Sequence, residues 1–295
     1  MNHTMEKVER KSTLGMTKGI VLGRHGSRDE ILALPEDFVG NIMVIGSCGT
    51  GKTMCNAIPY VLQAIKRGES VIIYDPKNMI YQETHGVAIN NGYKIEVIDE
   101  RDVRKKNIDY LLPCKERALC YIKHDLSKRE EEPDENLKNY WQKIKEFIVS
   151  EEKENDSPQK FNFVLEEFHM TGDTGRDILL TCKKYNIGTM CLMQTSEQLT
   201  IAYPDDWERI VNNCNIIIST QVTTMKQADF LIELFIGKEK GERLPFVPER
   251  IVTMSEKCQL VINGNEMIIV GKVYMQEYAG EHEETLIITD PKGEL

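Results

Sequence analysis

The chain has 295 residues and a formal net charge of −10, with 28% charged and 41% hydrophobic residues. This length suits one large α/β core, or one core with a small appendage. The acidic balance argues against a protein that coats nucleic acid with a basic exterior, although it permits a local basic surface. No stretch approaches the roughly 20 apolar residues of a membrane-spanning helix, and residues 1–18 lack the apolar core of a signal peptide. We therefore expect a cytoplasmic protein that meets a membrane only through partners.

The eight cysteines include no Cys-x-x-Cys pair and no Cys/His spacing typical of a metal site. Several of them lie inside apolar runs, as Cys191 does between Met190 and Leu192. Reduced thiols that are mostly buried are the expected state of such cysteines.

Short apolar, β-branched runs alternate with longer stretches that are compatible with helices. This alternation predicts βαβ units, and therefore an α/β fold with a mainly parallel central sheet flanked by helices. The predicted strands are Ile42–Ile45, Val71–Tyr74, Lys94–Ile98, Leu119–Ile122, Phe161–Leu165, Thr189–Met193 and Ile216–Ser219. The predicted helices are Met54–Arg67, Pro76–Asn90, Glu135–Val149, Thr174–Tyr185, Trp207–Asn212 and Thr224–Phe235. A C-terminal β-hairpin is predicted to pair Gln259–Ile262 with Met267–Val273 through the turn Asn263-Gly264-Asn265.

A phosphate-binding loop follows the first predicted strand and precedes the first predicted helix, which is the context that this motif requires. Its residues are Gly46, Ser47, Cys48, Gly49, Thr50, Gly51, Lys52 and Thr53, which match Gly-x-x-x-x-Gly-Lys-Ser/Thr. Backbone N–H groups of such a loop surround the phosphates, and the helix adds its positive N-terminal end. Lys52 would reach the β- and γ-phosphates, and the Thr53 hydroxyl would bind Mg²⁺. We predict an ATP site formed by these residues and Met54, in a domain that covers residues 19–278.

Two carboxylates follow the buried-type strand Phe161–Leu165. The first carboxylate at such a strand end orients Mg²⁺ or its water, and the second polarises the attacking water as a general base. Glu166 is therefore assigned to the metal and Glu167 to catalysis. The alternative is that both residues are surface carboxylates that merely end a strand.

Gln194 follows the predicted strand Thr189–Met193. A polar side chain at this position would lie beside the γ-phosphate and sense its presence, so Gln194 joins Lys52 and Glu167 as a candidate catalytic residue. The alternative is that Gln194 caps the next helix.

An ordered set of motifs covers most of residues 15–275. In chain order these are Gly19–Arg24, the phosphate loop, Glu69–Lys77 ending in Asp-Pro-Lys, Asn91–Val97, Leu165–Phe168, Gln194–Leu199 and Asp206–Asn215. The set resembles the TraG-type coupling proteins of type IV secretion, which are conjugative DNA-transfer ATPases of the RecA/FtsK-like P-loop class. The resemblance implies a RecA/FtsK-like P-loop NTPase fold.

The sequence departs from that family in three respects. Family members usually begin with membrane-spanning helices, and none is evident here. They also carry an all-α domain after the strand that begins Gly-Tyr-Lys, where this chain has only Asp99–Arg117 before the next strand. Finally, Glu166 replaces the usual aspartate and is one methylene longer, which could weaken the positioning of the metal.

The resemblance implies a homo-hexamer that hydrolyses ATP at its subunit interfaces and moves DNA, or a relaxase–DNA complex, together with type IV secretion components. Candidates for a trans-acting finger at those interfaces are Arg176, Lys184 and Arg209. Arg101–Lys106 is a candidate DNA contact, with a solvated surface loop as the alternative. Two alternatives remain open: a nucleotide-binding docking or regulatory module with little turnover, and another RecA-like translocase or helicase. On either side of the NTPase domain, residues 1–18 form a polar segment, and residues 279–295 form a tail for which disorder is one expectation.

Overall fold

The computed structural model describes residues 9–11, 17–25, 30–99, 117–123, 135–151, 160–236, 247–264 and 266–280. Several predicted features therefore lie wholly or partly outside the described residues. These are residues 1–8 and 12–16 of the polar N-terminal segment, residues 100–116 with the Arg101–Lys106 cluster, Asn265 of the hairpin turn, and residues 281–295 of the tail.

The described strands form one sheet of twelve. They are β1 (Glu9–Lys11), β2 (Val21–His25), β3 (Glu30–Ala33), β4 (Asn41–Ile45), β5 (Ser70–Tyr74), β6 (Lys94–Asp99), β7 (Ala118–Lys123), β8 (Phe161–Leu165), β9 (Gly188–Met193), β10 (Cys214–Ser219), β11 (Cys258–Asn263) and β12 (Glu266–Gly271). Their order across the sheet is β1-β3-β2-β12-β11-β10-β4-β9-β8-β5-β7-β6.

The sheet has a parallel part and an antiparallel part. The strands from β10 to β6 are all parallel to their neighbours, whereas β11, β12, β2, β3 and β1 extend the β10 edge in antiparallel pairs. The carboxyl ends of β4, β9, β8 and β5 therefore meet at one edge of the sheet, where α/β folds bind ligands. This arrangement confirms the predicted mainly parallel α/β sheet and its C-terminal hairpin.

Helices cover both faces of the sheet. They are α1 (Ile58–Arg67), α2 (Met79–Asn90), α3 (Glu135–Glu151), α4 (Gly172–Thr181), α5 (Ser196–Ala202), α6 (Trp207–Asn212), α7 (Met225–Ile236), α8 (Pro248–Val252) and α9 (Met275–Gly280). In β4, Met43 belongs to the hydrophobic cluster that contains residues of α3 to α8, and Val44 belongs to the cluster that contains residues of α1, α2 and α9. Because the central strands are buried on both faces, they read as continuous apolar runs in the sequence.

The structure differs from the predicted elements mainly where elements are short. Strands β1, β2 and β3 and helices α5, α8 and α9 were not predicted, because segments of three to seven residues carry little periodicity. Strand β1 places part of the polar N-terminal segment in the sheet.

The helix predicted over Pro76–Asn90 begins later, at Met79. The Asp75 carboxylate accepts hydrogen bonds from the backbone N–H groups of Met79 and Tyr81, at 3.0 and 2.8 Å, and so holds the preceding residues in a turn. The predicted helix Thr174–Tyr185 is also divided, because α4 ends at Thr181 and a 3₁₀ turn covers Cys182–Tyr185. Among the described residues, no helix is long and apolar enough to cross a membrane.

Candidate functional site

The phosphate loop leaves the carboxyl end of β4 at the middle of the sheet. Gly49 and Gly51 have φ angles of 78° and 91°, which side chains other than glycine rarely adopt. The loop therefore needs glycine at both positions in order to turn around a ligand. The glycine positions of the sequence motif therefore predict the backbone shape of the phosphate loop.

Thr220, the residue that follows β10 beside β4 in the sheet, closes the inner side of the loop. The hydroxyl oxygens of Thr50 and Thr220 are 2.7 Å apart, and the Thr50 hydroxyl also donates to the Ser47 carbonyl at 2.8 Å. A Cβ atom at Gly46 would lie 2.0 Å from the Thr220 hydroxyl. Gly46 is thus required by the close approach of β10, in addition to any contact with a ligand.

Lys52 lies against its own loop, where its ammonium donates to the carbonyl oxygens of Gly46 and Ser47 at 2.5 and 3.0 Å. Burial lowers the pKa of Lys52, and the nearby ammonium of Lys77 lowers it further, while Glu167 raises it. Lys52 on the loop and Lys77, which follows β5, therefore place two ammonium groups near the position where the motif predicts phosphate groups.

Thr53 and Glu166 meet as the metal prediction requires. The Thr53 hydroxyl donates to Glu166 Oε1 at 2.7 Å, and Glu166 is 4% exposed. The other carboxylate oxygen, Oε2, is buried and accepts no hydrogen bond from an N–H or hydroxyl group of the described residues, while the Asp75 carboxyl is close enough to share a hydrogen bond with Glu166. A buried oxygen without such a donor beside a threonine hydroxyl fits a hard divalent cation such as Mg²⁺. The additional methylene of Glu166 does not prevent this contact.

Asp75 adds a second buried carboxylate beside Glu166. Burial raises the pKa of Glu166 to about 7; the Thr53 hydrogen bond opposes this shift, and the Asp75 charge adds to it. Burial also raises the pKa of Asp75, although backbone hydrogen bonds from α2 oppose the shift. Two carboxylates that are expensive to ionise in isolation form a favourable environment for a cation.

Glu167 follows on the same turn, and its backbone adopts the left-handed conformation, with φ 50° and ψ 53°. This conformation is unusual for a residue other than glycine and turns the chain sharply after β8. The carboxylate forms an ion pair with Lys77 and accepts hydrogen bonds from Gln194 Nε2 at 3.2 and 3.4 Å. His169 Nδ1 lies 3.7 Å from Glu167 Oε2.

The ion pair sets the charge state of both partners. Burial raises the pKa of Glu167, but the hydrogen bond and the charge of Lys77 outweigh burial, and the pKa falls below its usual value. Burial likewise lowers the pKa of Lys77, but Glu167 outweighs it and raises the pKa. The opposite shifts agree, so Glu167 is a carboxylate and Lys77 an ammonium.

Gln194 lies beside the carboxylates and does not cap α5. The N-cap of α5 is Thr195, which forms a capping box with Gln198. The Gln194 side chain instead contacts Glu167. The structure therefore brings together Lys52, Thr53, Glu166, Glu167 and Gln194 at one edge of the sheet.

The three candidates for a trans-acting finger differ in the contacts that their side chains make within the chain. Arg176 pairs with Asp173 and Asp206, both at 3.1 Å. Arg209 is 67% exposed in its side chain and lies 3.7 Å from Asp206, and Lys184 lies 5.5 Å from the ring centre of Tyr185. Of the two arginines, Arg209 is the less constrained.

The C-terminal hairpin holds the loop from outside. The Lys272 side chain donates to the carbonyl oxygens of Thr50 and Glu256 at 2.8 and 2.5 Å. Gln259 of β11 accepts from Asn56 at 3.2 Å and donates to the Leu22 carbonyl at 2.8 Å. Asn56 lies in the π-helical turn Thr53–Ala57 that joins the loop to α1. The hairpin thus contacts both the phosphate loop and the turn after it.

We expect Lys272→Met to lower the free energy of unfolding by about 1–3 kcal/mol, because the buried Thr50 carbonyl and the partly buried Glu256 carbonyl lose a charged donor. Urea denaturation of the nucleotide-free protein measures this change. Lys257→Met is the matched control, since Lys257 is exposed in the same region and surface substitutions usually change stability by less than about 0.5 kcal/mol. Equal stability of the two variants would show that Lys272 does not support the loop.

Several residues of this site had no predicted role. They are Asp75, Lys77, His169, Thr220, Asn56, Gln259 and Lys272. Asp75 and Lys77 carried a signal, since they follow a predicted strand that lies in the parallel sheet, as Glu166 and Glu167 do. Thr220 carried the same signal, since it follows the predicted strand Ile216–Ser219, and Asn56 and His169 lie close along the chain to Thr53 and Glu167. Gln259 and Lys272 come from the antiparallel hairpin segment, and no local pattern marks them.

A family model described as the TraM recognition site of TraD and TraG matches residues 160–242. This segment contains β8, the two carboxylates, β9, Gln194 and β10. No match was found among curated proteins.

Solved structures of coupling proteins share the fold. The trigonal form of the bacterial conjugative coupling protein TrwBdeltaN70 with sulphate has a TM-score of 0.60 at 11% identity, over 92% of this chain and 93% of that chain. TrwB in complex with ADP and Mg²⁺ has a TM-score of 0.58 at 10% identity, over 92% of this chain and 95% of that chain.

The genome packaging NTPase B204 from Sulfolobus turreted icosahedral virus 2, in complex with AMPPCP, has a TM-score of 0.49 at 11% identity, over 80% of this chain and 98% of that chain.

The TrwB structures establish the fold over nearly the whole chain, and the family model matches the segment that carries the acidic half of the site. Together with the order of the sequence motifs, these findings confirm the resemblance of this chain to the TraG-type coupling proteins.

Proposed function

We propose that the chain is an Mg²⁺-dependent ATPase that converts hydrolysis into the movement of DNA or nucleoprotein. One observation carries the catalytic part: the phosphate-loop residue Thr53 contacts Glu166, and Glu167 lies beside them with its carboxylate ionised. The DNA part is supported by the coupling-protein fold and by the match to the segment that includes Gln194. TrwB has been solved with ADP and Mg²⁺, which agrees with the nature of this site.

In this mechanism the loop N–H groups and Lys52 bind the phosphates of ATP and hold the γ-phosphate at the ends of β4 and β8. Thr53 and Glu166 would hold Mg²⁺, which neutralises developing charge on the phosphate oxygens when it is bound. Glu167 accepts a proton from the attacking water, and Gln194 orients that carboxylate. The bond to the γ-phosphate breaks as the water oxygen bonds to phosphorus, giving ADP and phosphate.

As a motor, the chain would assemble as a homo-hexamer that takes its DNA or relaxase–DNA substrate to a type IV secretion apparatus. Arg209 is the finger candidate that the geometry favours, because its side chain is largely exposed and weakly held. We propose that it contacts the nucleotide of a neighbouring subunit, where a guanidinium suits a phosphate better than an ammonium does.

A docking or regulatory module with little turnover is the second candidate. The observation that favours it is the state of Glu167, whose carboxylate is engaged by Lys77 and Gln194 and is 7% exposed. A general base in that state has limited access to water.

ATP turnover with Mg²⁺ tests the proposal, measured alone and with single- or double-stranded DNA. We expect DNA to stimulate turnover and Lys52→Ala to reduce it to background, because the loop then lacks its phosphate-binding cation. The nature of the stimulating DNA identifies the strand form that engages the motor. Processive unwinding of a duplex would instead point to a helicase.

Tight nucleotide binding without turnover under any of these conditions would contradict the motor and support the docking module. Failure of the wild-type chain to bind ADP or ATP would contradict both. Gel filtration or mass photometry with Mg²⁺ and nucleotide tests the hexamer, and a persistent monomer with full turnover would contradict an interface site.

A further inference from the structure

Lys77 is an ammonium in direct contact with the candidate base, and the mechanism does not use it. It follows β5 in the turn before α2, and β5 is the direct neighbour of β8 in the sheet. The next residue, Asn78, has a left-handed backbone with φ 61°, as Glu167 has on the adjacent turn. Two sharp turns thus place an ammonium and a carboxylate against each other beside the phosphate loop.

Neighbouring side chains hold both carboxylate oxygens of Glu167. Oε1 pairs with Lys77 and accepts from Gln194, and Oε2 faces Gln194 and His169. The Glu167 side chain is 7% exposed, whereas that of Lys77 is 39% exposed. Of the two partners, Lys77 therefore has the freedom to move, and its departure would release one carboxylate oxygen.

A better partner for Lys77 arrives with the substrate. The carboxylate of Glu167 offers one negative charge, while the terminal phosphate of ATP offers three oxygens and more charge. Lys77 is close enough to Lys52 to influence its charge state, so both ammonium groups lie near the place where the γ-phosphate is expected. ADP, which lacks that phosphate, would leave the ion pair intact.

We propose that Lys77 is a γ-phosphate-sensing residue: it pairs with Glu167 in the absence of a triphosphate and transfers to the γ-phosphate when ATP binds, which frees Glu167 to accept the proton of water. This inference rests on the proposed function and deepens it. It assigns Lys77 a binding role toward a nucleoside triphosphate, and it gives the ion pair between Lys77 and Glu167 a role in the reaction cycle.

The test is a double-mutant cycle on binding. Dissociation constants for Mg²⁺-ADP and for the Mg²⁺ complex of the non-hydrolysable analogue AMP-PCP are measured by calorimetry for wild type, E167Q, K77M and K77M/E167Q. In E167Q, Lys77 has lost its competing carboxylate, so AMP-PCP should bind about tenfold more tightly while ADP changes less than about twofold. In the K77M background the same E167Q change should tighten AMP-PCP by less than about threefold, because no ammonium is left to transfer.

Two further variants isolate the role of Lys77. K77R retains the cation, so adding E167Q to K77R should still tighten the binding of AMP-PCP by most of the factor seen when E167Q is added to wild type. Lys123 lies at the end of β7 on the same edge and contacts Tyr81, so K123M/E167Q should behave as E167Q alone. Thermal unfolding of each nucleotide-free variant shows that it is folded.

Tightening by E167Q that persists fully in the K77M background would overturn the inference, since the effect would then come from removing repulsion between Glu167 and the phosphate. Equal changes for ADP and AMP-PCP would overturn it as well. In both cases nucleotide still binds, so the proposed ATP site stands. If wild type binds neither nucleotide, the proposed function fails together with the inference.

Discussion

Replacing Glu167 by glutamine should reduce DNA-stimulated ATP turnover by roughly 10²–10⁴-fold, the usual contribution of a positioned general base. Glutamine retains the size of the side chain and its contact with Gln194, but it cannot accept a proton from water. Nucleotide affinity should be kept or increased, because the phosphate loop is unchanged. Steady-state turnover, combined with the binding measurements, separates the loss of chemistry from a loss of binding.

Glu208→Gln is a matched control for this prediction, because Glu208 is an exposed carboxylate in α6. Its turnover should remain at the wild-type rate. An E167Q variant that hydrolyses ATP at that same rate would show that another group activates the water. A wild-type rate that is already negligible would leave E167Q without effect and would support the docking module.

Replacing Glu166 by glutamine should raise the stability of the metal-free protein and weaken its Mg²⁺-dependent binding of nucleotide. In EDTA at pH 8 we expect the free energy of unfolding to rise by roughly 1–3 kcal/mol, because a buried charge next to Asp75 is removed. The dependence of nucleotide affinity on Mg²⁺ should weaken by roughly 10–100-fold, because the amide cannot replace a carboxylate beside Thr53. Denaturation in EDTA and calorimetry with and without Mg²⁺ measure the two effects.

The gain in stability from E166Q should grow as the pH rises. The pKa of Glu166 is raised from 4.5 to about 7 in the folded protein. Between these values the folded state binds more protons than the unfolded state, so wild-type stability falls as the pH rises through this window. E166Q removes that loss, and its advantage should disappear near pH 4.5.

Glu83→Gln is the control for both arms, because Glu83 is an exposed carboxylate of α2. It should change neither the stability in EDTA nor the response to Mg²⁺. Stability of E166Q below that of wild type at pH 8 would contradict the view that Glu166 is a buried carboxylate that is costly to ionise. An unchanged response to Mg²⁺ would remove Glu166 from the metal site.

Much of the parallel sheet could be predicted from the sequence because its strands are buried on both faces. Ile42–Ile45, for example, is an uninterrupted apolar run, and Phe161–Leu165 is apolar except for Asn162. The phosphate loop is equally local, since its glycines and Lys52 lie within eight consecutive residues. Strand β1 is the opposite case, because three residues such as Glu9–Lys11 become a strand only through their partner β3.

The sequence by itself determined the fold class, the phosphate loop and the identities of Glu166 and Glu167 as strand-end carboxylates, because these features depend on neighbours along the chain. The tertiary structure alone decided that Lys77 pairs with Glu167, that Asp75 raises the pKa of Glu166, and that Lys272 supports the loop from the hairpin. The physical reason is the sheet order: β5 lies beside β8, and β11 lies beside β10, although long stretches of chain separate them. Such contacts form when strands pair, and the spacing of residues along the chain does not encode them.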